Sequence, residues 1–230
     1  MALRRSTVAL ALLAAALAGP GCTPAQFAKR SGSYALVQVR PGAKVDLHAK
    51  PGGRVVARIA SHTEFGSNQA FWVAERRGRW LGVTSSAAHG NRLGWIAYNP
   101  LELRLLFTQW SVRASLSRRE LVVSYGNRVL RRFPVTIGAS GTDTPAGRFS
   151  VTDALAGRGV GPWYGCCVLA LSGHQASLPS DWIGGDRIAI HGTPGPVGGA
   201  ASHGCLRASN LDMTYLFAKL PIGAPVTITR

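Results

Sequence analysis

From Tyr34 onward, apolar and polar residues alternate with a period close to two through most of the chain. Successive side chains of a strand face opposite sides, so this alternation predicts half-buried β-strands. Between Tyr34 and Asn99 the runs "YALVQV", "RVVARI", "FWVAE", "WLGV" and "GWIAY" are short and punctuated by Gly or Pro. The turn "RRGR", Arg76 to Arg79, joins two of them as a hairpin. "PLELRLLFTQW", Pro100 to Trp110, reads as a link to a second β series that begins "WSVRASLSRRELVVSYGNRVLRRFPVTIG". Its two-residue turn at Gly126 and Asn127 is a strong hairpin signal, and "GRFSV", "CVLAL" and "DRIAIHG" continue in strands. The period changes once. Leu211, Met213, Leu216, Phe217 and Leu220 supply the apolar face of a helix, Ser209 with Asp212 three residues on forms its N-cap, and "PIG" ends it before a closing strand, "APVTITR".

Before Tyr34 the pattern is of another kind. "MALRRSTVALALLAAALAGPGC" has Arg4 and Arg5, an apolar run from Val8 to Ala18 and then small residues, the layout of an export signal. The run is too short to span a bilayer comfortably. Cys22 stands where a bacterial lipoprotein signal places its lipid-bearing cysteine, although Gly19 occupies the position that is usually Leu. The expected organisation is an export signal over 1–22, a tether over 23–33, a β module over 34–99, a linker over 100–111 and a second domain over 112–230. The chain is expected in the extracytoplasmic envelope, touching the membrane only through a lipid on Cys22. The stretch "ERRGRWLGV" and the strand spacing resemble the SH3-like barrels that precede enzyme domains in secreted bacterial proteins. Trp72, Trp80 and Trp95 are expected in the core of such a barrel, the alternative being an aromatic binding surface.

Charge adds a partner class. Lys plus Arg number 26 against 10 Asp plus Glu, a formal net charge of +16, which favours anionic partners. The excess is almost all Arg and is scattered, as composition bias alone would produce. Export argues against nucleic acid and leaves anionic wall polymers. It also changes how the cysteines read: with Cys22 set aside, Cys166, Cys167 and Cys205 remain, an odd number in a compartment where thiols oxidise. Adjacent cysteines such as Cys166 and Cys167 rarely pair with each other, and on a strand they face opposite sides, so at most one of them shares a space with Cys205; their redox state stays open.

The carboxylates are too dispersed for paired-carboxylate hydrolysis, and no glycine loop suited to phosphate is present. What remains is His191 with Gly192, and His203 with Gly204 and Cys205. A thiol attacks carbonyls as thiolate, and at neutral pH a neighbouring histidine must take its proton. His203 flanks Cys205 two residues away, whereas His191 ends a strand and reaches the thiol if "GTPGPVGGAA" folds back. Backbone amides of Gly204 and Cys205 are candidate oxyanion donors. The competing reading is a zinc site of His191, His203, Cys205 and one of Cys166 or Cys167. Otherwise no metal or cofactor is called for.

"IHG", a Gly/Pro-rich loop, "SHGCLR" and the earlier block "TPAGRFSV" together resemble the signature of bacterial L,D-transpeptidases, the YkuD-like catalytic domain, over roughly Val112 to Arg230. The resemblance implies a mostly β fold, an SH3-like barrel followed by a β-rich L,D-transpeptidase catalytic domain with one late helix. It implies an enzyme that acts on peptidoglycan stem peptides, expels a terminal D-alanine and passes the acyl group from a cysteine to an amine. Carried onto this chain, Cys205 is the nucleophile and His191 the base, oriented by the carbonyl of Gly192. His203 shapes the pocket and oxyanion site, Ser202 supports the loop and counts with the substrate side, Arg207 holds a substrate carboxylate, and Tyr164 lies in the cleft. Thr144, Pro145 and Gly147 are expected as a structural turn. The rival from another class is a wall-binding protein without activity. The acceptor amine stays open.

Overall fold

The structure is a computed structural model that describes residues 31–230. The export signal, the lipid cysteine Cys22 and most of the tether lie outside the described residues. Two sheets dominate. The first has seven strands: β1 (Tyr34–Val39), β2 (Lys44–His48), β3 (Val55–Ala60), β4 (Ala70–Arg77), β5 (Trp80–Thr84), β6 (Leu93–Ala97) and β7 (Leu103–Thr108). Their spatial order is β3-β2-β6-β5-β4-β1-β7. The alternating positions close over a core of Val37, Val39, Val45, Leu47, Phe71, Leu81, Val83, Ile96 and Leu103.

Two expectations change here. The stretch read as a linker is a strand: β7 pairs antiparallel with all of β1, from Tyr34↔Thr108 to Val39↔Leu103. Its Leu103 is fully buried, so the module runs to Thr108 and the next strand starts two residues later. Of the three tryptophans expected in the core, Trp95 is buried. Trp72 and Trp80 are half-buried, edge-on to Tyr34 at 6.1 Å and to His48 at 4.9 Å.

The second sheet has eight strands in the order β10-β9-β8-β17-β12-β13-β14-β16. They are β8 (Trp110–Ser115), β9 (Glu120–Tyr125), β10 (Arg128–Pro134), β12 (Gly147–Ala156), β13 (Cys167–His174), β14 (Arg187–Thr193), β16 (Leu206–Ser209) and β17 (Pro225–Thr229). A small parallel pair, β11 (Ile137–Gly138) with β15 (Ala200–Ser202), stands beside them. The last strand, β17, enters the middle of the sheet between β8 and β12 and buries Val226 and Ile228.

One α-helix follows β16, α1 (Asn210–Lys219), and Ser209 caps it by accepting the Asp212 N–H at 3.1 Å. Met213, Leu216 and Leu220 are buried among the core residues. Leu211, by contrast, is 74% exposed and Phe217 36% exposed, so the buried face is narrower than the periodicity predicts. The helix lies against β13, β14 and β16, and a helix on one layer buries only the stripe that faces it.

The two halves share an interface. Thr84 Oγ1 donates to Ser150 Oγ at 2.8 Å, Arg148 pairs with Glu75 at 2.8 Å, and the fully buried Asp153 accepts a hydrogen bond from Thr63.

Candidate active site

β14 and β16 are parallel neighbours with Ile190 opposite Leu206 and His191 opposite Arg207. Side chains two apart on a strand share a face, so His191 and Arg207 stand together and Cys205, just before β16, joins them. All three line one cavity of about 330 Å³, with Tyr164 and His203. The segment before Cys205 is fixed by its own sequence. Gly204 has φ +107°, a conformation L side chains rarely adopt, and a Cβ there would strike the amide of Gln175. Ser202 Oγ donates to the Cys205 carbonyl at 2.6 Å and accepts the Gly204 N–H at 3.1 Å.

That arrangement alters two assignments. Ser202 is 1% exposed and spends its hydroxyl inside the turn, so it holds the loop and does not reach a substrate. The Gly204 amide, a candidate oxyanion donor, already serves Ser202. The Cys205 N–H is the remaining backbone candidate of the two.

His191 Nδ1 donates to the Gly192 carbonyl at 2.7 Å. A carbonyl only accepts, so Nδ1 carries the hydrogen and Nε2 keeps its lone pair. Burial is the main reason that its pKa is lowered to about 4, with the Arg207 charge acting the same way and the Gly192 bond opposing. Burial likewise pushes the Cys205 thiol up, against a backbone hydrogen bond with Ala189 and the charge of Arg207. At neutral pH the pair is therefore neutral imidazole and thiol, not a preformed ion pair. Tyr164 packs its ring 4.8 Å from that of His191, and its phenol is also pushed up by burial. No carboxylate pairs with Arg207 among the described residues, which leaves a cation facing the cavity.

His203 is exposed on the same cavity, and its ring lies 4.6 Å from that of Trp182. Trp182, Trp163, Gln175, Leu178, Asp186 and Arg187 also line the cavity, and the sequence pattern pointed to none of them. The available signal was a tryptophan in each of two Gly/Pro-rich loops, Trp163 and Trp182, with little reason for a loop to keep one.

Cys166 and Cys167 form a disulfide with each other, contrary to expectation. The alternation rule fails because Cys166 lies in a turn and only Cys167 is on β13. The Cys166 N–H donates to Asn210 Oδ1 at 2.9 Å, and a Cβ on Gly192 would also strike that Asn210 oxygen. Asn210 thus ties the Tyr164 loop down close beside Gly192. Cys205 is the free cysteine among the described residues. The zinc reading loses its fourth ligand to the disulfide, and no three His, Cys, Asp or Glu side chains converge on a metal position among the described residues.

The profile of YkuD, the L,D-transpeptidase catalytic domain, matches residues 109–228. The chain belongs to that family. Its match begins where β7 ends and β8 starts, which agrees with the boundary set by strand pairing. A Bacillus subtilis relative named as an L,D-transpeptidase, YkuD, is 32% identical over 123 residues, covering 53% of this chain and 66% of its own length. A second B. subtilis relative so named, YqjB, is 34% identical over 119 residues, 48% of this chain and 65% of its own length. The chain thus spans just under two thirds of each. Among solved structures, Bd1075 of Bdellovibrio bacteriovorus is 20% identical, covers 53% of this chain and 48% of its own, and has a TM-score of 0.44. An L,D-transpeptidase from Mycobacterium smegmatis is 20% identical, covers 62% and 75%, and has a TM-score of 0.41.

Proposed function

We propose that this chain is a cysteine-dependent L,D-transpeptidase acting on peptidoglycan stem peptides. The observation that carries the reading is the His191 Nδ1 bond to the Gly192 carbonyl beside Cys205 in one cavity. It fixes the tautomer in which Nε2 is a base. Because the thiol is protonated at rest, His191 takes its proton as Sγ attacks the carbonyl of the donor stem. The Cys205 N–H receives the developing oxyanion. The tetrahedral intermediate collapses to a thioester, and the imidazolium returns its proton to the departing D-alanine amine. An acceptor amine then attacks the thioester, His191 takes the amine's proton, and Cys205 leaves protonated. Arg207, unpaired and facing the cavity, holds a carboxylate of the stem by a two-pronged contact. Tyr164 covers one side of His191 and keeps it out of water.

The test is incubation with a carbapenem, a mimic of the acyl donor, followed by intact mass. An adduct that vanishes in Cys205→Ala supports the enzyme. A folded, reduced protein that takes up none refutes it and favours the wall-binding alternative, in which the β module and the basic surface hold polymer without chemistry. Product analysis with stem tetrapeptides then identifies the acceptor.

Three further expectations belong to the same reading. The chain is exported, and Cys22 carries a lipid: labelled palmitate is expected in the wild type and not in Cys22→Ala, and labelling of neither refutes it. The seven-stranded module is SH3-like. The basic surface contacts anionic wall polymers, so sedimentation with cell walls weakens steeply with salt; salt-insensitive binding refutes that contact.

A further inference from the structure

The reacting residues stand on the strand side of the cavity. The opposite wall is the segment 175–186 between β13 and β14, which brings in Gln175, Leu178, Trp182, Gly185 and Asp186. Its neck is the register pair His174↔Arg187, closed by the Gln175 N–H donating to the Asp186 carbonyl at 2.7 Å. Both neck residues are held by the N-terminal half of the chain. Asn91 Nδ2 donates to the His174 carbonyl at 2.9 Å, and Asn91 Oδ1 accepts the His174 N–H at 2.8 Å. The side-chain amide thus stands in for a peptide group where the ladder of β13 is irregular between Ala170 and His174. The His174 ring spans the Ser86 carbonyl, 2.7 Å from Nε2, and Asp186 Oδ1, 2.8 Å from Nδ1. Arg187 pairs with Glu64, while its other nitrogens donate to the Leu171 carbonyl at 2.7 and 2.9 Å and to Thr152 Oγ1 at 2.6 Å.

Asn91 also has φ 54°, a left-handed conformation that Asn tolerates better than most residues. From the neck, two contacts reach the reacting turn. Gln175 packs under Gly204, and Trp182 lies on His203.

We propose that the N-terminal half is a working part of the active site: Asn91 and Glu64 are positioning residues that fix the segment 175–186 for binding of the acyl donor. They touch neither donor nor Cys205 and act through His174 and Arg187. The donor's identity rests on the proposed function; the positioning does not.

The experiment uses the full chain and compares Asn91→Ala, Glu64→Gln and Thr84→Val. The last removes a bond between the halves, Thr84 to Ser150, that involves neither His174 nor Arg187. Hydrogen–deuterium exchange of 175–186 is expected to quicken about tenfold in Asn91→Ala, less in Glu64→Gln, and not at all in Thr84→Val. Acylation of Cys205 by a carbapenem is expected to slow about tenfold at low concentration in Asn91→Ala, with the limiting rate held within about twofold. Alkylation of Cys205 by iodoacetamide, which needs no such wall, stays unchanged. Unchanged exchange in both neck variants, an equal rise in Thr84→Val, or a loss confined to the limiting rate overturns the proposal. Should the wild type form no carbapenem adduct, the proposed function fails, and exchange alone decides this inference.

Discussion

The two walls of the cavity are built on different principles. On one side His191 and Arg207 are set by the parallel register of β14 and β16, with Cys205 immediately before β16, against a core that includes Ile190, Leu206 and Ala208. On the other, Trp163, Tyr164, Leu178 and Trp182 come from segments outside the ladders, held by a few polar contacts such as Cys166 to Asn210 and the paired bonds of His174 to Asn91. Backbone ladders fix the position of every residue they include, so atoms that must meet within a bond length belong there. A donor must be admitted and released, and a wall made of loop with a narrow neck can yield without disturbing the base and the nucleophile.

On this division, damage on the strand side strikes the rate and damage on the loop side strikes binding. The largest effect is expected for His191→Gln, which removes the base: the limiting rate of Cys205 acylation falls by about 10² to 10⁴, with half-saturation little changed. A comparable loss of half-saturation alone would erase the distinction. Next is stability against pH. His191 is about 4 in the folded protein against 6.5 as an ordinary histidine, so the unfolded chain binds a proton that the folded one refuses between those values. Stability is therefore full above pH 6.5 and falls as the pH drops towards 4, by about 3 kcal/mol. Urea unfolding from pH 7 to pH 4 measures this, and His191→Gln should flatten the profile.

Gly204→Ala is expected to cost roughly 1–3 kcal/mol in the same unfolding experiment, since its φ of +107° and the Gln175 amide both resist a Cβ. Trp182→Ala sharpens the loop side: the carbapenem concentration for half-saturation rises about tenfold and the limiting rate holds. The smallest effect is a labelling pattern. In a Cys22→Ala chain, maleimide should add once before reduction, at Cys205, and three times after it, because Cys166 and Cys167 are paired; three additions without reductant would remove the disulfide from the loop side.

The same division governs what was readable. The β pattern, the Gly126–Asn127 hairpin and the Ser209 cap are local, with partners within a few residues, and the structure has each of them. His191, Cys205 and Arg207 were pointed to by the family resemblance of the contiguous blocks "IHG" and "SHGCLR", and one cavity is lined by all three. The linker failed for the opposite reason: nothing within "PLELRLLFTQW" says that β1, more than sixty residues earlier, completes its ladder. The helix face was drawn too wide because periodicity counts apolar residues, while only the packing of α1 on β13, β14 and β16 decides that Leu211 faces water. Ser202 and the Gly204 amide look available in a linear motif; only the fold reveals that they satisfy each other.

By itself, then, the sequence determined the β-rich class and the late helix, because those depend on residue type and short spacing, and its resemblance to a family pointed to Cys205, His191 and Arg207. Only the tertiary structure decided that Cys166 and Cys167 are paired, that Trp182 covers His203, and that Asn91 and Glu64 grip the far wall. The last two depend on groups distant in sequence meeting in space, and the first on a turn that ends at Cys166, just before β13 begins; a chain's pattern of apolar and polar positions carries no record of either.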